Sequence, residues 1–170
     1  MSERSATDRG FANHDAFENR DEGERETKGY VATATPFEAR ATARGRDRPT
    51  FEVTVRLPTL PAVVAGEVGH AVADGWYETL TLRLEDAYDV TRDADGDLAV
   101  RRNPDTDTVR VTFSYSAAPS QGVDDAAALV DYVEGTYVQG VIPGYDYEEP
   151  VAGLLARARE NAQAGQKSER

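Results

Sequence analysis

The chain has 170 residues, enough for one domain with a sizeable core, and 31 acidic against 19 basic residues give it a formal net charge of -12. That balance argues against general attraction to nucleic acid or to an anionic membrane, and the lack of cysteine excludes disulfides and thiolate metal sites. Only Lys28 and Lys167 are lysines, and the apolar content leans on Ala, Val and Leu. An acidic, arginine-preferring surface of this kind is expected of a salt-loaded cytoplasm, where a Debye length of roughly 3 Å at molar salt screens its self-repulsion.

The N-terminus has no apolar run of signal-peptide length, and nowhere do eighteen apolar residues follow one another, so a cytoplasmic protein without membrane association is expected. Residues 1–28 carry eight acids and five bases, with Phe11 and Phe17 in no sustained period, and read as a disordered acidic tail. Order is expected from 29 to 162 as a single domain, with 163–170 a second disordered tail.

Within that domain, "TPFEARATARG" and "TFEVTVRL" flank "RDRP" as a β-hairpin, with Phe51, Val53, Val55 and Leu57 alternating toward a core. Pro61 suits the first turn of a helix carrying Val64, Val68, Ala71 and Val72, which Asp74-Gly75 would stop. "WYETLTLRLEDAYDV" fits either period: Leu80, Leu82 and Leu84 alternate, whereas Trp76, Leu80, Leu84 and Tyr88 recur every four residues. The spacing is read as a helix over 76–86. "DADGD" forms a turn, and "LAVRR" with "VRVTFSY" forms a second hairpin across "NPDTD".

A helix follows with Asp124 as N-cap and a stripe of Ala126, Leu129, Val130, Val133 and Tyr137. A last one runs from Pro150 along Val151, Leu154, Leu155 and Ala158. The order β-β-α-(α)-β-β-α-α describes an α+β domain: an antiparallel sheet of about four strands, in two hairpins, with helices on one face.

Phosphate-loop and nucleophile-elbow motifs are absent. "DADGDL" resembles a calcium loop, but its glycine falls at the fourth place and Pro104 occupies the twelfth, so a tight acidic turn is the better reading. Two histidines, His14 and His70, cannot furnish a zinc site, and neither metal nor cofactor is expected.

Two surfaces remain. Arg40, Arg44, Arg46 and Arg48 gather at the first hairpin and could contact an anion. Phosphate contact is steeply salt-weakened, so nucleic acid is disfavoured against arginines paired with the chain's own carboxylates. The other surface is "EGTYVQGVIPGYDYEEP", Glu134 to Pro150. Four of eight tyrosines fall between 132 and 147, and the only isoleucine is Ile142. Pro143-Gly144 suits a type II turn and Gly140 a helix cap, so the segment reads first as a corner between two helices. Tyr145 and Tyr147 around Asp146 also offer rigid, amphipathic contact area.

This segment, with "DDAAALVDYVEGTYVQG" before it and "PVAGLLARAR" after it, resembles a small uncharacterised domain family of halophilic archaea, a domain of unknown function. The resemblance covers roughly residues 30 to 162. It implies a haloarchaeal cytoplasmic origin and transfers no catalytic residue or cofactor.

The expected function is therefore a non-enzymatic interaction or regulatory module, meeting an unidentified protein partner through Tyr137, Tyr145, Asp146, Tyr147 and Glu148. The alternative is a small-molecule-binding domain or enzyme with its pocket at the same corner, Asp146 or Glu148 serving as acid or base. Nucleic-acid contact through the Arg40 to Arg48 hairpin comes third.

Overall fold

The computed structural model describes residues 6–19, 29–92 and 96–167. Its centre is the pair of long strands β4 (Thr50–Pro58) and β7 (Thr108–Ser116), antiparallel from Thr50↔Ser116 to Pro58↔Thr108. Phe51, Val53, Val55 and Leu57 point to the same side as Val109, Val111, Phe113 and Tyr115, and all are at most 3% exposed. The two-residue alternation in each sequence thus becomes one apolar face.

The two predicted hairpins are present. The first joins β3 (Glu38–Arg44) to β4, and the second joins β6 (Gly96–Asn103) to β7. Beyond them the sheet continues through β2 (Tyr30–Ala32) to β1 (Phe17–Asn19), giving six strands rather than about four, in the order β1-β2-β3-β4-β7-β6. All neighbours are antiparallel.

The assignment of residues 1–28 to a disordered tail is therefore corrected for residues 6–19. Helix α1 (Ala6–Ala12) and β1 belong to the fold, and Phe11 is 0% exposed. Phe11 stacks on Tyr30 and meets Phe17 edge-on, so three aromatic rings anchor a segment too short to show a period. His14 holds the same segment down, its Nε2 lying 3.3 Å from Asp124 Oδ1 while its Nδ1 accepts from the Ala16 amide. Residues 1–5 and 20–28 lie outside the described residues, as do 93–95 within the predicted acidic turn.

The region after β4 also differs from expectation. A single turn, α2 (Leu60–Val63), leads into a two-residue strand β5 (Val64–Ala65), and the long helix α3 (His70–Leu84) follows. Asp74-Gly75 does not stop a helix but lies inside α3, where Trp76, Leu80 and Leu84 are buried. The four-residue period was thus the operative one over 76–84. The cost of one interior glycine is small beside the burial of those three side chains.

Helix α4 (Pro119–Gln139) starts at Ala118-Pro119, five residues before the expected cap at Asp124. Its first turns carry Gly122, where any Cβ would run into the Phe51 ring. That close approach lets the Tyr115 hydroxyl donate to Gly122 O at 2.7 Å. The stripe from Val123 through Ala126, Leu129, Val130 and Val133 to Tyr137 closes the core over the sheet.

A second two-stranded ladder pairs β5 with β8 (Asp146–Tyr147), and α5 (Val151–Lys167) ends the chain with Val151 and Leu154 buried. The helical turns continue through Lys167, so the expected tail at 163–170 is helical up to that residue, and 168–170 lie outside the described residues. The opposite face of the sheet, bearing Arg56, Thr54, Arg110 and Thr112, carries no helix among the described residues, and its arginines are exposed.

Candidate functional site

The corner between α4 and α5 is built around two tyrosines with different duties. Tyr137 ends the α4 stripe at 2% exposure, edge-on to Trp76 and tilted against Phe37, with its hydroxyl donating to Pro58 O at 3.0 Å. It is a core residue and offers nothing to a partner, a correction to its place among the expected surface residues. Burial, with Tyr147 nearby, pushes its pKa up from the ordinary 10.0.

Gly140 caps α4, its amide reaching Thr136 O and Tyr137 O at 3.1 Å, with φ of -84° rather than the left-handed value. The positive φ falls instead at Gly144, 98°, where a turn after Pro143 demands it. The chain then returns along β8. Ala65 lies opposite Asp146, Val64 lies opposite Tyr147, and the Glu148 amide donates to Val63 O at 2.7 Å.

Tyr147 closes this loop on itself. Its hydroxyl accepts from the Ile142 amide at 2.8 Å and donates to Ile142 O at 3.4 Å. Tyr145 and Tyr147 are half-buried, while Asp146 and Glu148 are exposed. The tyrosines expected to form a bare contact surface are thus spent largely on holding the loop, and none of the four lines the clefts described next.

Two accessible concavities flank Trp76. One, of about 430 Å³, is a groove between α3 and α4 walled by Val72, Trp76, Leu80, Val141, Ile142 and Pro143. Arg83 is the sole charged residue of its lining, and Val72 is 39% exposed there. The other, of about 560 Å³, lies between the start of α3 and the β6–β7 turn, where Thr59, His70, Asp74, Arg102 and Asp107 converge. Arg102 spans it, 2.9 Å from Asp74 Oδ1 and 4.7 Å above the Tyr77 ring. Thr59 is 5% exposed, and its hydroxyl has no hydrogen-bond partner among the described residues.

Neither cleft was legible in the sequence, because each joins segments thirty to seventy residues apart. The available signal was the single Trp76 on a helix that the reading split in two.

The hairpin arginines Arg40, Arg44, Arg46 and Arg48 are all exposed. None makes an ion pair with a described residue, where pairing with the chain's own carboxylates was expected. Arg48 donates to Ser116 O at 3.4 Å, and the Arg40 side chain lies along Gly29.

Among the described residues no group of three or more His, Asp or Glu is placed to hold a metal ion, and no helix is long and apolar enough to cross a membrane. Comparison with curated proteins finds no match, and comparison with solved structures finds none. A model of a family of unknown function, DUF5813, matches residues 12–157, from the end of α1 into α5; the chain belongs to that family.

Proposed function

We propose that the protein is a non-enzymatic interaction module of a salt-adapted, haloarchaeal cytoplasm, receiving an apolar segment of a partner protein in the α3–α4 groove beside the tyrosine corner. The observation that carries this reading is the wall of that groove, where Val72 stands 39% exposed opposite Val141, Ile142 and Pro143. An exposed Val72 on one side of an open groove and the half-buried Val141 and Ile142 on the other suit the anchors of an amphipathic helix, and Arg83 at the rim suits an acidic residue beside them. The loop clamped by Tyr147 supplies one rigid lip, which lowers the entropic cost of docking.

Selection of displayed helical peptides against the protein in concentrated KCl tests this. Enriched sequences should carry apolar anchors at helical spacing and bind Val72→Asp at least tenfold more weakly. Peptides that bind Val72→Asp equally well, or no enrichment at all, would overturn it.

A second reading, a small-molecule site, is favoured by the unpartnered Thr59 hydroxyl in the larger cleft, whose volume lies within the range of ligand pockets. It moves the expected pocket away from Asp146 and Glu148 to His70, Asp74, Arg102 and Asp107. Metabolite-induced thermal shifts lost on Arg102→Ala would support it, and shifts unaffected by that change would count against it.

A further inference from the structure

The helix-free face of the sheet carries a charge pattern opposite to the rest of the molecule. In the register of β3, β4, β7 and β6, Glu38 stands opposite Arg56, Arg56 opposite Arg110, and Arg110 opposite Arg101. Their neighbours Val55, Leu57, Val109 and Val111 are at most 1% exposed on the core side, so the three arginines stand in one row on the solvent side. Arg40 occupies the next row of the same face, opposite Thr54.

Directly opposed like charges, with Cβ atoms about 5 Å apart, destabilise an antiparallel sheet. Among the described residues a single ion pair relieves the row, Arg56 with Glu38 at 3.6 Å. Arg101 and Arg110 have none with a described residue.

Three acids share the face: Glu38, Glu52 and Asp97 stand outward beside Arg40, Arg44, Arg56, Arg101 and Arg110, three negative charges against five positive ones. Helix α4 alone carries Asp124, Asp125, Asp131 and Glu134 and no Lys or Arg. It packs on the far side of the sheet, and a helix is itself about 10 Å across. Carboxylates on its outer surface therefore act on the arginine row from beyond the Debye length of about 8 Å at physiological ionic strength. A net charge of -12 thus coexists with a sheet face on which arginines outnumber carboxylates by two.

We propose that this face binds the phosphate backbone of double-stranded nucleic acid without reading its sequence, an association that holds in dilute salt and that the concentrated salt of the proposed function steeply weakens. The partner class follows from what surrounds the arginines. Among the outward positions of β3, β4, β6 and β7 there is no aromatic residue and no Leu, Ile or Val. Protein interfaces have an apolar, aromatic-rich centre, and single-strand sites stack bases on aromatic rings; this face has neither. It has guanidinium groups beside the hydroxyls of Thr54 and Thr112, which are side-chain donors that meet phosphate oxygens, while Glu52 and Asp97 stand one row further along, alternating with Thr42 and Ser114. Of the hairpin arginines, Arg40 and Arg44 stand outward on β3, whereas Arg46 and Arg48 lie in the turn beyond it; Arg101 and Arg110 come from the other hairpin.

Fluorescence anisotropy with a labelled duplex of arbitrary sequence tests the proposal, over a KCl series that starts where circular dichroism shows the native fold. A single strand of equal length and poly-glutamate serve as comparison probes. The duplex should bind best, with log K falling linearly in log [KCl]. Arg110→Thr and Arg101→Thr should each reduce that slope by about one, and Arg46→Ser should leave it unchanged. Arg110→Thr should also raise the melting temperature of the free protein, because it removes the middle charge of the row. That readout separates a lost contact from a lost fold. Absence of duplex binding, a slope indifferent to Arg110 and Arg101, or equal binding of poly-glutamate or the single strand would each overturn the proposal.

Discussion

Phe11 lies flat on Tyr30, ring centroids 4.4 Å apart at 14°, and the Tyr30 hydroxyl donates to Asp8 Oδ1 at 3.0 Å. Two segments at the N-terminal side of the chain are thereby fastened to each other and to Phe51 of the central strand, whose ring is 6.1 Å from that of Phe11. Phe11→Ala is expected to cost about 3–5 kcal/mol, as the truncation of a fully buried aromatic ring does. Urea unfolding of the variant measures it, and a cost below about 1 kcal/mol would detach α1 from the core.

The corner should separate its tyrosines by energy. Tyr137→Ala removes a ring that is 2% exposed and should cost about 3 kcal/mol or more. Tyr147→Phe keeps the packing and loses only the contacts to Ile142, so about 1 kcal/mol is expected. Tyr145→Ala, half-buried and with no hydrogen bond from its hydroxyl to a described residue, should cost the least of the three. Chemical denaturation of the set checks the ranking.

Two glycines should respond with opposite signs. A Cβ at Gly75, inside α3, would meet nothing within 4 Å, so Gly75→Ala should stabilise by up to about 1 kcal/mol. A Cβ at Gly122 would strike the Phe51 ring, so Gly122→Ala should destabilise by about 1–3 kcal/mol. Melting temperatures moving in the same direction would contradict the placement of one helix against the sheet.

Alkaline pH should unfold the protein through two phenols. Burial raises the pKa of both Tyr115 and Tyr137 above the ordinary 10.0, with Asp125 adding to the effect at Tyr115. The folded state therefore holds these protons more tightly than the unfolded chain. The corresponding stability is fully present below about pH 10 and is lost as pH rises beyond it. Spectrophotometric titration should show two of the eight tyrosines ionising only with unfolding. Tyr137→Phe should shift the alkaline midpoint upward relative to its stability at neutral pH.

Salt should strengthen the fold. With 31 carboxylates and few ion pairs among the described residues, screening is expected to lower self-repulsion, and the melting temperature should climb from dilute buffer to concentrated KCl. A flat or falling profile would remove the support for a salt-adapted origin.

Local periodicity was enough to determine the four long strands, the stripe of α4 and the start of α5. In each, the core-facing side chains recur at two or three-to-four residues, and burial follows that recurrence. Periodicity also carried the corner's turn, since Pro143-Gly144 needs only its own backbone preferences. It could not determine α1 and β1. Their contribution is two isolated phenylalanines whose value exists only once Tyr30 and Phe51 are beside them. Nor could it decide that Gly75 sits inside a helix, because the interactions that offset its local cost are made by Trp76 and Leu80 across the core.

The candidate sites depended most on tertiary structure. The α3–α4 groove unites Val72 with Ile142, the polar cleft unites Thr59 with Arg102, and the arginine row unites Arg56 with Arg110 and Arg101. Apart from Arg101 and Arg110, which share one hairpin, these residues lie far apart along the chain, and cross-strand register and helix packing, not local sequence, bring them within reach of one another.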